Sequence, residues 1–198
     1  MLNALPPATR AILVANVVMF ILQILVSPEA LPRLELWPIH TPFFAPYQVI
    51  TYAFLHGNLA HLFFNMFALY MFGRALEDFW GPRRFIVFYF ASVLAAAITQ
   101  LIVTSLAGTV APTVGASGGV FGLLLAFALY FPRQRIMLLF PPIPMPAWLF
   151  VTLYGILELV TGVMNTQDGV AHFAHLGGMV GAAIVILYWR SRGSVRGP

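Results

Sequence analysis

Three short stretches of the chain hold residue types that can do chemistry: His56-Gly-Asn-Leu-Ala-His61-Leu-Phe-Phe-Asn65, Gly115-Ala-Ser117-Gly118-Gly119-Val-Phe121-Gly122 and His172-Phe-Ala-His175-Leu-Gly177-Gly178-Met-Val-Gly181. There is no cysteine, so disulfides and thiolate chemistry are excluded, and catalysis must come from Ser, His, Asp, Glu, Tyr or Asn. His61 and Asn65 stand four residues apart, on one helix face, and both can donate hydrogen bonds into the same small volume. Ser117 opens an apolar helical stretch, where free backbone N–H groups and the positive dipole end favour an anion. A serine beside a neutral imidazole is an activated nucleophile. His61, Asn65 and the Ser117 backbone N–H are the matching candidates to hold a developing oxyanion.

The elements that position these groups follow from composition. Of 198 residues, 61% are hydrophobic and only 8% charged, against about 45–50% and about 25% in soluble domains. So few charges cannot cover a water-exposed surface. The ten Arg residues, scattered between apolar segments, make a poor footprint for a polyanion despite a net charge of +4, so no nucleic-acid partner is expected. At roughly 20 residues per crossing, the apolar content supplies six spans. These are predicted at about 11–26, 50–71, 85–107, 117–131, 147–164 and 170–188. A Pro-rich hydrophobic connector at 27–46 lies in the interface, a Pro-rich turn covers 141–146, and a short loop covers 165–169. No cleavable signal sequence and no internal repeat are found. The expected organisation is a short N-terminus (1–9), one six-helix domain (10–190) and a short basic tail (191–198).

Arg10, Arg74, Arg83, Arg84, Arg133, Arg135, Arg190, Arg192 and Arg196 fall on one side of such a chain, and only Arg33 on the other. By the positive-inside rule both ends are cytoplasmic. Spans two, four and six then run in the same direction, and the three polar stretches share one layer near the outer face. Polar groups at that depth are costly and mark a partner or a wet cavity. Gly118 and Gly122 form a small face on span four, and Gly178 with Ala182 a matching one on span six, in line with His175. Two small faces bring Ser117 opposite His175. Glu158 is placed well down span five and Asp168 in a loop. No acid is therefore expected beside His175, and the site is read as a dyad.

Taken together and in this order, H-x-x-x-x-H-x-x-x-N, G-A-S-G and A-H-L-G-G resemble the rhomboid intramembrane serine proteases, as does Met71-Phe-Gly73-Arg-Ala-Leu-Glu77 at the end of span two. The resemblance covers about residues 10–190 and implies an all-α, six-helix membrane bundle of the minimal bacterial kind. It implies Ser117 as nucleophile, His175 as general base, and His61, Asn65 and the Ser117 amide as oxyanion hole. His56 resembles the family's structural histidine, and the connector its membrane-embedded first loop. Gly115, Gly118, Phe121 and Gly178 support the site. The implied activity is cleavage of transmembrane protein substrates near the outer face of an inner (plasma) membrane, without metal or cofactor. Phe121 stands where the family often has Tyr, keeping a ring to stack on His175 without the hydroxyl. The family's Trp-Arg pair in the first loop is absent.

Each stretch read alone has a structural alternative. Ser117 can cap or pack a helix, His61 and Asn65 can bond across helices, and His56 and His172 read as structural. His172 is a rival base, but the small residues follow His175. Glu158 also reads as structural, with Glu77 and Asp78 among the cytoplasmic Arg residues. The match of Gly115-x-Ser117-x-Gly119 to the nucleophile elbow of soluble hydrolases lacks its strand context. Two other functions compete: a His-based metal or haem membrane protein, and an inactive relative that binds membrane clients without cutting them. Against the metal stands the lack of thiolates and of H-E-x-x-H.

Overall fold

The computed structural model describes residues 5–25, 31–137, 142–164 and 171–193. The loop at 165–169 with Asp168, the first residue of span six and Arg196 lie outside the described residues. So do the first four residues of the predicted N-terminal segment.

Among the described residues eight α-helices follow one another: α1 (Pro7–Leu25), α2 (Gln48–Thr51), α3 (Leu59–Ala68), α4 (Arg74–Trp80), α5 (Pro82–Ala107), α6 (Ser117–Tyr130), α7 (Ala147–Met164) and α8 (His172–Ser191). A π turn at Leu69–Gly73 joins α3 to α4, giving one apolar helix of 22 residues. That helix, α1, α5, α7 and α8 are long and apolar enough to cross a membrane. The fourth predicted span, α6, has 14 residues, roughly 21 Å against a hydrocarbon core of about 30 Å. It survives at that length because it touches little lipid. Gly118–Leu124, Ala126–Ala128 and Tyr130 are buried, wrapped by α5 and α8. Ser117 is the first residue of this short, enclosed helix.

The burial pattern is the one a bilayer selects. Val18, Ile21, Ile98, Ile156, Val163 and Ile184 point outward, while Asn16, Gln48, Ser92 and Glu158 are buried. Lipid solvates aliphatic faces, so helices associate through small residues and polar contacts instead. Gly178 shows how close that association is: a Cβ there would run into the Gly118 carbonyl of α6. On the other side of α8 a Cβ at Gly181 would meet Ala95 of α5.

Two expectations are corrected. The second span begins at Leu59 rather than near residue 50, because Asn58 caps it by accepting from the His61 N–H at 2.8 Å. The preceding residues form α2 and a 3₁₀ turn at Tyr52–Phe54. Glu77 does not join an Arg cluster. It is buried and takes the orphan N–H groups of Ala8 (2.8 Å) and Thr9 (2.6 Å), with the Thr9 hydroxyl, at the start of α1. Asp78 does stand near Arg74, at 3.9 Å and exposed.

The connector is folded rather than free. Gln48 is its hub, accepting from the Trp37 N–H and donating to the Arg33 and Phe43 carbonyls. Leu36 pairs in both directions with Thr113 (3.0 and 2.9 Å), tying the connector to the segment that leads into α6. The end of the Pro-rich turn, β2 (Pro144–Pro146), pairs antiparallel with β1 (Arg135–Met137) in a small hairpin that aligns Ile136 with Met145.

Candidate active site

Ser117 is the first residue of α6, where the first-turn N–H groups lack intrahelical acceptors. Its Oγ lies 2.8 Å from Nε2 of His175, one turn into α8. The close α6–α8 approach at Gly118 and Gly178 sets that distance. Phe121, one turn after Ser117, stacks on the His175 imidazole at 4.2 Å with the rings 7° apart. Tyr154 of α7 stacks in turn on Phe121, with ring centroids 5.2 Å apart. The imidazole is thereby fixed in plane.

The backbone before Ser117 is shaped by Gly115. Its φ is +133°, a region L side chains rarely adopt. Its N–H donates to the Tyr52 carbonyl at 3.0 Å. A Cβ there would stand 2.9 Å from Cε1 and Nε2 of His61 and 3.5 Å from the Ser117 Oγ. The His61 ring thus lies across Gly115 from the serine, with its Nδ1 turned toward the Gly57 N–H (3.4 Å). Asn65 is buried one turn below, and its amide nitrogen donates to the His61 carbonyl at 2.9 Å. An amide carries a second N–H. His56 is buried against His61, ring centroids 5.0 Å apart and edge-on. The residues singled out in the sequence therefore converge on one layer: Ser117, His175, His61, His56, Gly115, Gly118, Phe121 and Gly178, with Asn65 just beneath.

The expectation that no acid reaches this layer is overturned. Glu158 Oε2 lies 2.9 Å from Nδ1 of His175 and 2.8 Å from Nδ1 of His172. Of the 18 residues of α7, only Ala147, Val151 and Glu158 are buried. The missed signal was direction. Span five runs opposite to spans four and six, so depth must be counted back from Met164. Glu158 is then about 9 Å below that end and His175 about 4.5 Å below the start of α8. An intramembrane acid is a functional candidate on its cost alone. The other unanticipated group, Tyr52, is buried and donates from its hydroxyl to the Val93 carbonyl at 2.8 Å. Aromatics were too numerous to single it out.

A family model described as Rhomboid domain matches residues 44–192, which include every residue of this site. The chain belongs to the rhomboid family. Rhomboid protein 1, mitochondrial, of Saccharomyces cerevisiae is 35% identical over 133 residues, covering 66% of this chain and 38% of that protein. RHOMBOID-like protein 12, mitochondrial, of Arabidopsis thaliana is 34% identical over 155 residues, covering 70% and 45%. Rhomboid protease GluP of Bacillus subtilis is 29% identical over 140 residues, covering 68% and 24%. The chain spans less than half the length of each. It is an all-α membrane protein with a rhomboid bundle, and the rhomboid match begins after α1 and most of the connector.

Proposed function

We propose that this rhomboid is an intramembrane serine endopeptidase. The observation that carries the reading is the 2.8 Å contact from Ser117 Oγ to His175 Nε2 at the N-terminus of a short helix enclosed by the bundle. In this reading Ser117 attacks a scissile carbonyl while His175 Nε2 takes its proton. The tetrahedral oxyanion is held by the Ser117 N–H with His61 and Asn65. His175 then protonates the leaving amine, giving an acyl-enzyme, and next takes a proton from the water that hydrolyses it. Substrates are transmembrane segments entering from the bilayer. Their helix must open locally, since a helical carbonyl is tied to the N–H four residues on. In this reading both ends lie on the cytoplasmic side of an inner membrane and the site opens to the opposite face, an orientation that the Arg distribution supports.

A fluorophosphonate probe on the detergent-solubilised protein tests this. The wild type is expected to label, and Ser117→Ala and His175→Ala are not. Labelling that survives Ser117→Ala overturns the nucleophile assignment. An unlabelled wild type favours a client-binding relative that does not cut.

A further inference from the structure

We propose that Glu158 is a positioning residue of the reaction, so that the site works as Ser117–His175–Glu158 with His172 as a second brace on the carboxylate. This rests on the reading of Ser117 and His175 as nucleophile and base.

The geometry leads there from the imidazole. To accept the serine proton, Nε2 of His175 must be bare, so in the neutral ring the proton sits on Nδ1. A tautomer is set by what the other ring nitrogen bonds. Here Nδ1 has one partner among the described residues, Oε2 of Glu158 at 2.9 Å. The carboxylate accepts from Nδ1–H, leaves Nε2 facing the 2.8 Å serine hydroxyl, and offers a negative charge to the imidazolium that forms during attack.

The carboxylate is itself held. Oε2 also lies 2.8 Å from Nδ1 of His172, whose Nδ1 stands 3.1 Å from the Thr161 hydroxyl oxygen. Thr161 donates that hydroxyl to the Leu157 carbonyl at 2.7 Å, which orients its lone pairs toward the ring. The chain Thr161–His172–Glu158–His175 therefore links α7 to α8 beside the serine. With Phe121 stacked on the ring face and Glu158 on its edge, His175 has no free rotation left. Neither brace substitutes for the other: stacking fixes the plane, and only the carboxylate selects the tautomer.

The same three ligand atoms lie within 4.8 Å of one another, a spacing a metal ion can also use. The distances from Oε2 to both ring nitrogens are those of N–H···O hydrogen bonds.

The test compares wild type, Glu158→Gln, Glu158→Asp and Ser117→Ala by the kinetics of fluorophosphonate labelling. Glu158→Gln is expected to lower the limiting labelling rate by about 10²–10⁴-fold, since an amide can favour the wrong tautomer. The probe concentration for half-maximal rate stays unchanged, and Glu158→Asp recovers part of the loss. Wild-type labelling rates in Glu158→Gln overturn the inference while leaving the serine mechanism standing; a wild type that never labels overturns the serine mechanism instead. Because Glu158→Gln also alters a buried contact between α7 and α8, ¹⁵N spectra of histidine-labelled wild type give a second reading. They are expected to show His175 protonated on Nδ1 and bare on Nε2, and the opposite tautomer overturns the inference. Labelling lost to a chelator and restored by zinc alone also overturns it, in favour of a metal site.

Discussion

At the scale of single residues the proposed mechanism separates groups that meet the substrate from groups that hold those groups still. His61 and Asn65 are one helical turn apart, and the Asn65 amide already spends one N–H on the His61 carbonyl. That bond aims its second N–H and links the two residues mechanically. Loss of one preorganised oxyanion donor costs about 10²–10³ in rate. Asn65→Ala is therefore expected to slow fluorophosphonate labelling of Ser117 by that factor, with the half-saturating concentration unchanged. His61→Ala should do the same. The double variant should lose less than the product of the two, because both donors serve one oxygen. A labelling rate in Asn65→Ala equal to wild type removes Asn65 from the oxyanion hole. Gly115 is the quieter requirement. Its positive φ and the nearness of His61 leave no place for a Cβ, and so the serine is presented by a turn only glycine can make.

At the scale of elements, most of the helices were legible because the apolar runs stop at charges, Pro and Gly. α7 begins and ends where the composition places it, and α5 and α6 differ by a few residues at one end. What was not legible has physical causes. The start of the second span hinged on Asn58 acting as a cap, which residue type alone does not distinguish from a polar residue inside the helix. The β1–β2 hairpin has only three residues per strand, with Pro at two positions, too short for a period-two pattern. Glu158 was misjudged because depth in a bundle depends on helix direction as well as on position along the chain. The contact of α6 with α8, by contrast, was readable from glycine spacing, and it gives a stability prediction. Gly178→Ala forces a methyl against the Gly118 backbone. Overpacking of this kind costs about 1–3 kcal/mol, and a carbonyl cannot move aside as a side chain would. Its thermal midpoint in detergent should fall and labelling of Ser117 should drop with it. Gly155→Ala is the control, since its Cβ would meet only the end of Met179 at 3.6 Å. Equal midpoints for the two variants would mean that α6 and α8 are not held at backbone contact.

At the scale of the whole molecule, the outward aliphatic faces, the short buried α6 and the Arg asymmetry make one consistent arrangement. Aliphatic side chains of α1, α5 and α7 point outward, while Ser117, His175, His172 and Glu158 gather at one end of the bundle. In the proposed mechanism Ser117 needs water for its second half-reaction, and the connector is tied through Leu36 and Thr113 to the segment that leads into α6. The orientation therefore decides which side of the membrane supplies that water and receives the released fragment. Because the chain lacks cysteine, a single introduced thiol reports its side without background. His40→Cys, exposed in the connector, should react with a membrane-impermeant maleimide applied to intact cells. Arg133→Cys, exposed before the hairpin, should react only after permeabilisation. The reverse pattern would invert the bundle and place the Ser117 opening on the Arg-free face of the opposite compartment. Equal reaction at both sites in intact cells would mean that the connector and the hairpin share one side, which the proposed six crossings do not permit.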